Sequence, residues 1–511
     1  MKQTIRLSFL ALSLMWVLSS CNDDQIAPTG DDAIGSAAFV GENCGCPDIT
    51  VRPIKVLGNT TGGDFYIDAN RHFVCDTTYA LRGRIRVRNS ATLTIDPGTI
   101  VLGNSPTDKI AQRDLIGALI VEKTGAINAP GTCDCPIVMT SRKTVGNRAP
   151  GDWGGLLLAG NGLITTSSGA PTANLEGFLP AEPQVPYGGD NSVVAPSSTL
   201  QYVRIEFSGV DISGGNGDET NSVTMGGLQS SVYTMDHVQV SFGFDDGFEW
   251  FGGNIDAKYL FSFKTNDDDF DLDQGYAGNV QFGAAWRGPT LANSSGSNGF
   301  ESDGIQNNAT CTLPFGATTT AKFSNITLLG SGNGSVAPGT LFESAVRIRE
   351  GSNMELRNSL IGSWPVSLKF TDQTTYNNFL ANTNMFRQNL WVSKDSLDLG
   401  GCGTMPSGTT FWTDFKNRKN GFVNAGGKDG AALYLGLDPV GALSGKCPDF
   451  RPVSLKTQVD YAGLPAFFTA VGYRGAFGLN DVNAGWCTDC TNDNPKWMEF
   501  QPDFEKYTSL D

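Results

Sequence analysis

The sequence contains little histidine, little charge and no long hydrophobic run. Only two of its 511 residues are histidines, and only 17% are Asp, Glu, Lys or Arg. This excludes a histidine-rich metal site, and a Ser-His-Asp triad would have to use His72 or His237, both of which we interpret as ordinary strand residues. A formal net charge of -16 disfavours nucleic acid and anionic membrane surfaces as partners. Cations or neutral polymers fit this charge better.

Helical periodicity is also scarce. Short runs of alternating apolar and polar residues are bounded by Gly, Asn, Asp and Pro, as at residues 84–88, 91–95, 200–207 and 237–242. The chain has 63 glycines and 24 prolines, which suit tight turns, and 30 phenylalanines, which exclude a disordered chain. The sequence therefore predicts an all-β protein.

The N-terminal region has the features of an export signal. Lys2 and Arg6 accompany an apolar run at residues 5–18, which is shorter than the roughly 20 residues that a membrane-spanning helix needs. Residues 18–21 resemble the bacterial lipoprotein box, and the acidic residues that follow resemble surface-export signals of some Gram-negative lipoproteins. The resemblance implies a signal peptide at 1–20, lipid attachment at Cys21, a tether at 21–47 and an outer-membrane lipoprotein exposed on the cell surface. An incidental thiol at Cys21 is the alternative.

Apart from Cys21, the chain has ten cysteines, an even number. In an exported chain, this predicts up to five disulfides, and the sequence leaves their pairing open. Three close pairs also resemble zinc ligands, but the wide separation of the first two favours disulfides. The candidates are Cys44, Cys46, Cys75, Cys133, Cys135, Cys311, Cys402, Cys447, Cys487 and Cys490.

An internal repeat indicates how the strands are arranged. Residues 245–253 align with residues 267–275, an offset of 22 residues, and residues 299–304 match the same core again. A period in the low twenties is typical of a solenoid coil, and stacked coils pair their strands in parallel. We predict a right-handed parallel β-helix over residues 48–372, with a β-sandwich or propeller as the competing fold. Residues 373–511 are expected to hold the end of the solenoid and an irregular C-terminal cap, or else a separate small domain.

Several segments together resemble a Gram-negative surface lipoprotein family with a pectate-lyase-like β-helix, mostly of undefined function. The resemblance implies the fold and the surface location, and it supplies no substrate. The matching segments are residues 91–99, 151–155, 200–207, 245–253, 267–275 and 473–477.

An acidic ladder is the candidate site. If Phe270 and Leu272 point into the core, alternation places the flanking aspartates outside, and stacking aligns their equivalents about 4.8 Å apart. Each adjacent ionised pair would repel by about 3.5 kcal/mol at an effective dielectric near 20. The candidate metal ligands are Glu249, Asp269, Asp271, Asp273, Glu301 and Asp303.

Three remedies for this repulsion are open: a bound Ca²⁺, raised carboxyl pKa values, or interleaved cations. The candidate cations are Lys264, Arg287, Arg347 and Arg349. A solvated acidic stripe that binds nothing is the simplest alternative.

Three classes of function remain. We favour a non-catalytic binding or adhesion module for glycan. Phe251 and Tyr276 are candidate sugar-stacking rings, and packing of these rings beneath loops is the alternative, which we slightly favour. A calcium-assisted polysaccharide lyase, with Arg347 or Arg349 as the base, or a glycoside hydrolase is the alternative. The third is a structural component of an outer-membrane assembly. The sequence assigns no catalytic residue.

Overall fold

A computed structural model describes residues 44–211, 219–288, 292, 296–305, 318–330, 342–393, 395–404, 407–424, 450–452, 456–478, 485–487 and 496–511. The predicted signal peptide, Cys21 and most of the tether lie outside these ranges, as do Cys311, Cys447 and Cys490. In the described part of the chain, no helix has the length and apolar character needed to cross a membrane.

Thirty-two strands and two α-helices follow one another along the described chain. The N-terminal strands are β1 (Ile54–Leu57), β2 (Asp64–Ile67), β3 (Arg71–Phe73), β4 (Thr78–Leu81), β5 (Arg84–Val87), β6 (Thr92–Ile95), β7 (Ile100–Gly103), β8 (Ala118–Val121), β9 (Ala126–Pro130), β10 (Ile137–Ser141) and β11 (Leu156–Ala159). The central strands are β12 (Ala173–Asn174), β13 (Pro186–Tyr187), β14 (Ser198–Glu206), β15 (Val210–Asp211), β16 (Glu219–Thr220), β17 (Val223–Gly226), β18 (Tyr233–Ser241), β19 (Phe248–Phe251), β20 (Ala257–Phe263), β21 (Phe270–Asp273), β22 (Asn279–Trp286) and β23 (Phe300–Asp303). The C-terminal elements are β24 (Lys322–Ser324), β25 (Thr327–Leu329), β26 (Ser344–Arg349), β27 (Glu355–Arg357), β28 (Leu360–Gly362), β29 (Val366–Asp372), α1 (Gln373–Ala381), β30 (Leu390–Ser393), β31 (Asp395–Cys402), α2 (Gly408–Asn417) and β32 (Gly421–Asn424).

The strands stack as the repeat predicts. One sheet of 11 strands runs in the order β2-β5-β8-β11-β17-β19-β21-β23-β26-β29-β31, and a second sheet has 17 strands. Phe248, Phe270 and Phe300 occupy equivalent places in parallel register, with ring centroids 5.8 and 4.9 Å apart, and all three are fully buried. The right-handed parallel β-helix is therefore confirmed, and this apolar column is its core.

The larger sheet bends within its own strands. At Tyr202, His237, Tyr259 and Phe282 the backbone is left-handed, with φ between 48° and 60°, a conformation that costs roughly 1–2 kcal/mol in a residue with a Cβ. The four rings stack on one another, with centroids 4.2, 4.3 and 5.0 Å apart. Ring stacking of this kind contributes about 0.5–1.5 kcal/mol per pair and offsets part of the strain.

The chain beyond residue 372 both extends the solenoid and covers its end. Strands β30 to β32 continue both sheets beyond residue 372, and helices α1 and α2 pack Phe379 and Phe411 against Phe370 at the C-terminal end of the core. These helices cover the solenoid end, as a cap should.

The described parts of residues 450–511, here called the strap, lie along the side of the larger sheet instead of over its end. Its residues 456–478 contact coils near β22 to β27, and its residues 496–511 contact coils nearer the N-terminus. Its contacts are Asn325 with Tyr473, Gln281 with Thr469, Gln239 with Glu499, and Glu206 with Tyr507. The strap covers outward apolar residues of the larger sheet such as Phe261 and Phe263, since Phe500 packs on both.

Three disulfides tie the ends of the chain to the coils. They join Cys44 to Cys135, Cys46 to Cys75, and Cys133 to Cys487. Cys402 is also disulfide-bonded. The two closely spaced pairs at 44–46 and 133–135 therefore send each cysteine to a different partner, which is not the arrangement of a zinc site.

Candidate functional site

The predicted acidic ladder lies on the outer face of the smaller sheet. Glu249 pairs with Asp271, and Asp271 pairs with Glu301, on three successive parallel strands. The next coil places Arg347 beside Glu301. The 22-residue repeat therefore gave the register correctly, because parallel strands of equal length stack equivalent residues.

The ladder is covered, which contradicts the picture of a solvated stripe. Residues 160–197, here called the insertion, connect β11 to β14 and pack over this face, with Tyr187 against Phe251. Glu249 is 7% exposed and Glu301 is 6% exposed. The carboxylates point away from the core, as predicted, but they lie beneath the insertion.

Asp269 does not belong to the ladder. It precedes the first residue of β21, so strand alternation does not apply to it, and its side chain is fully buried. Its Oδ1 accepts hydrogen bonds from Ser262 Oγ at 2.7 Å and Thr265 Oγ1 at 2.9 Å, and Arg287 Nη2 lies 3.6 Å from its Oδ2. Asp269 therefore holds a turn in place and does not point outward as the alternation predicted.

The C-terminal half of the ladder is neutralised by arginine. Arg347 Nη1 lies 3.0 Å from Glu301 Oε2, and Arg349 forms ion pairs with both Glu301 and Asp303. Burial, followed by the charge of Asp303, still raises the pKa of Glu301 to about 7. Interleaved cations therefore offset the acidic charge in this half of the ladder. Arg347 and Arg349, two of the four predicted cations, provide this compensation.

The other two predicted cations do not reach the ladder. Arg287 pairs with Asp269, as described above. The ammonium of Lys264 lies 5.1 Å from the ring centroid of Phe242 and 5.2 Å from that of Phe263. Burial lowers the pKa of Lys264 to about 8.

The N-terminal half of the ladder has no such compensation. Asp246, Glu249 and Asp271 each offer a carboxylate oxygen, and these oxygens lie within 4.8 Å of one another. Among the described residues, none of the three forms an ion pair with Lys or Arg at 4.0 Å or less. Oδ1 of Asp271 is buried and accepts no hydrogen bond from the described residues. We call these three residues the acidic triad.

Asp246 was missed by the sequence analysis, and a ladder of turn residues explains its position. Just before β17, β19 and β21 of the smaller sheet, a side-chain Oδ1 accepts the backbone N–H of the equivalent residue in the next coil. Asn221 Oδ1 accepts from Asp246 at 3.2 Å, and Asp246 Oδ1 accepts from Asp268 at 2.8 Å. The aligned Asp-Asp pairs at the start of each repeat carried this signal, but we interpreted them only as turn residues.

The electrostatics of the acidic triad are unfavourable when all three carboxyls are ionised. Burial raises the pKa of Asp246, Glu249 and Asp271 well above the ordinary values, and neighbouring carboxyls raise it further. The charge of Glu176, which belongs to the insertion, is the largest Coulombic cause at Glu249. Protons or a bound cation must therefore offset the charge in this half.

The donor set fits a hard divalent cation. Every candidate ligand is a carboxylate oxygen, which Ca²⁺ prefers, and three converging oxygens supply half of the six to eight that it takes. Asp245 and Asp267 lie beside Asp246 as a second convergent group. The carboxylates of Glu301, Asp303 and Asp273, which were also predicted as ligands, are outside these groups.

The predicted sugar-stacking rings are not accessible. Tyr276 is fully buried, stacks on Trp250 with ring centroids 5.3 Å apart, and donates its hydroxyl to Ile255 O at 2.8 Å. Phe251 is 8% exposed beneath the insertion. The packed alternative therefore applies, since Tyr276 completes the interior stack and Phe251 packs against Tyr187.

Fold and site together define a parallel β-helix with a partly neutralised acidic ladder on one outer face. The family model of the pectate-lyase like beta helix domain matches residues 66–411. The chain therefore belongs to that family. The comparisons with curated proteins and with solved structures gave no match.

Proposed function

We propose that this protein is a lipid-anchored cell-surface binding module whose acidic triad holds a Ca²⁺ ion and whose β-helix presents a face to glycan. The observation that carries the cation is the convergence of Asp246, Glu249 and Asp271 without a compensating Lys or Arg among the described residues. The lipid anchor rests on the lipoprotein-box resemblance at Cys21. The disulfides are consistent with an exported chain.

A binding role is better supported than catalysis. A lyase needs a base that can take a proton, but Arg347 and Arg349 are held in ion pairs with Glu301 and Asp303. The charge of Asp303 raises the pKa of Arg349 further, which makes it a poorer base. The cavity beneath the insertion, near Phe178, has about 30 Å³ of space, which is room for one water molecule and not for a sugar ring.

Calcium binding is tested by thermal unfolding of the mature protein in EDTA and in millimolar calcium. At a calcium concentration 100 times Kd, wild type should gain about 2.7 kcal/mol, and the double variant D246N/D271N should gain nothing. D269N is the matched control, because Asp269 bonds to Ser262 and Thr265. It should lower the melting temperature in both conditions and keep the calcium increment. A wild type without any calcium increment would refute the cation proposal.

The ligand class and the location need separate experiments. Glycan arrays probed with and without calcium should show binding without product release, whereas a rise in absorbance from unsaturated uronate ends would establish a lyase instead.

Labelling with a radioactive fatty acid should mark wild type and not C21A. Protease treatment of intact cells should digest the protein if it is surface-exposed.

A further inference from the structure

A column of corner residues lies where β4, β7 and β10 of the larger sheet end. These strands pair in parallel register on three successive coils, and the residues that follow them are Arg82, Asn104 and Arg142. The backbone N–H of Asn104 donates to Leu81 O at 2.9 Å. The backbone N–H of Arg142 donates to Gly103 O, also at 2.9 Å. The three corner residues are therefore stacked, about 4.8 Å from one coil to the next.

The two arginines of this column approach each other. Arg142 Nη1 donates to Asn104 Oδ1 at 3.1 Å, so its guanidinium group extends over the preceding coil, towards Arg82. Burial, followed by the charge of Arg82, lowers the pKa of Arg142. Within the described ranges, neither arginine has a carboxylate oxygen at 4.0 Å or less. Their mutual repulsion is therefore not offset by an acidic side chain of the described chain.

Two lysines lie beside the arginine pair, and they share one carboxylate. Lys143 follows Arg142 in the chain, and its Nζ lies 2.6 Å from Asp152 Oδ1. Lys109 belongs to the loop that begins at Asn104. Burial lowers the pKa of Lys109, and Asp152 and Lys143 are its charged neighbours. The other oxygen of Asp152, Oδ2, accepts hydrogen bonds from two neutral donors. One acid thus serves both lysines, and the arginine pair receives no share of it.

The other acids of this region have different partners. Asp114 Oδ1 lies 3.3 Å from Arg84 Nη2, and Asp108 Oδ1 accepts a backbone N–H of its own loop at 2.8 Å. Asp511 of the strap pairs with Arg148 at 2.8 Å. The chain has 52 acidic residues and only 36 basic ones. A basic cluster without acidic partners is therefore not what this composition would place at a corner by chance.

The arrangement suits an anion with more than two oxygens. Guanidinium groups donate pairs of hydrogen bonds to carboxylate, phosphate and sulfate. A single guanidinium group can occupy both oxygens of a carboxylate. A phosphate or sulfate group has further oxygens, so it can accept from two guanidinium groups on different coils and from an ammonium group beside them.

We propose that Arg82 and Arg142, with Lys109 beside them, form a binding site for a phosphate or sulfate group at the corner of the N-terminal coils. The bound anion offsets the repulsion between the arginines and links their coils. The site uses neither the acidic triad nor Ca²⁺, so it is a second site that goes beyond the proposed function. The group belongs to a soluble ligand or to a lipid head group, and the experiment distinguishes these sources.

Calorimetric titration of the whole protein with inorganic phosphate and with inorganic sulfate tests the site. The titration is made in EDTA at constant ionic strength, so that calcium does not contribute. Wild type should bind both anions, and R82Q and R142Q should each raise Kd at least about tenfold. R88Q is the matched control, because it removes one positive charge from the same coils while Arg88 pairs with Asp68. Its affinity should stay within about twofold of wild type.

Thermal unfolding distinguishes binding from a purely structural role. Because the two guanidinium groups repel each other, R82Q and R142Q should melt no lower than wild type when phosphate is absent. Phosphate should raise the melting temperature of wild type and R88Q but not that of R82Q or R142Q. An arginine that only stabilises the fold would instead lower the melting temperature equally with and without phosphate, which would overturn the site.

Two further probes identify the source of the group. Glucose 6-phosphate represents a soluble ligand, and flotation with phosphatidic acid vesicles, compared with phosphatidylcholine vesicles, represents a lipid head group. Binding of either probe by wild type that is lost in R142Q supports the site and names its source. Wild type that binds neither phosphate nor sulfate overturns the site, as do variants that bind them as wild type does. Equal affinity for acetate and phosphate overturns the assigned class of anion.

Discussion

The strap is held by a buried cluster of charges whose balance depends on pH. Glu505 lies with Glu499 of the strap against Arg204 and Glu206 of β14 and against Arg148 of the 142–152 turn. Burial, followed by the charge of Glu499, raises the pKa of Glu505 to about 7. We predict that E505Q changes the pH dependence of stability in a defined direction.

The sign follows from proton linkage. The folded protein binds the Glu505 proton more tightly than the unfolded chain, in which the pKa of a glutamate is near 4.5. The stabilising effect of the protonated carboxyl is therefore complete below about pH 4.5 and is lost as the pH rises through about 7. At 1.36 kcal/mol per pKa unit the loss is at most about 3 kcal/mol, and partial exposure of the side chain reduces it to about 1–2 kcal/mol.

The variant isolates this one group, because glutamine stays neutral at every pH. Urea unfolding should give wild type and E505Q similar free energies at pH 5, and E505Q should be the more stable protein at pH 8 by about 1–2 kcal/mol. Carboxyls far from this cluster titrate equally in both proteins and cancel in the difference, whereas Glu499 and Glu206 interact with Glu505 and contribute to the difference. A difference between the two proteins that is the same at pH 5 and pH 8 would refute the reasoning.

Two further predictions concern the core and the strap. F270A should lose about 3–5 kcal/mol in urea unfolding, because Phe270 is fully buried between Phe248 and Phe300, and a loss below about 1 kcal/mol would contradict the stacked core. C487S removes the covalent link between the strap and the coils, so hydrogen exchange at residues 496–511 should become faster while exchange at β21 and β23 stays as in wild type. Unchanged exchange in the strap would show that its packing alone holds it.

Much of the fold was predictable because the repeat is a physical constraint. A parallel sheet stacks equivalent residues, so an offset of 22 residues in sequence fixed which side chains are neighbours in space. Phe248 with Phe270, and Glu249 with Asp271, follow from that offset alone. Of the three remedies for the charge of the ladder, interleaved arginine is found at Glu301 and Asp303, and bound Ca²⁺ stays a prediction.

The errors came from segments outside the repeat and from one residue at the edge of a repeat strand. The insertion has no equivalent in neighbouring coils, so the sequence did not show that it buries Glu249 and Phe251. Asp269 was misassigned because alternation was extended one residue before β21 begins. The strap resembled a cap because its aromatic residues follow no regular pattern. Such a pattern indicates that these residues cover an apolar surface, but it does not indicate which surface.

The order of acidic and basic residues along one column of the ladder gives the strongest reason to expect a bound cation at the acidic triad. Reading along the stacked strands, Glu249, Asp271 and Glu301 are followed by Arg347 and Lys369. Arg347 forms an ion pair with Glu301 of the preceding coil, so compensation by arginine is local, because a screened charge acts mainly on its nearest neighbours.

At the opposite end of the column, the insertion contributes the acidic Glu176 rather than a basic residue. Elsewhere at the contact between the insertion and the coils, the apolar Leu175 and the basic Arg84 are found. A residue of either type at position 176 would bury this face without adding negative charge. Because burial, the charge of Glu176 and a hydrogen bond with it all raise the pKa of Glu249, protons or a cation must offset the negative charge at this end of the column.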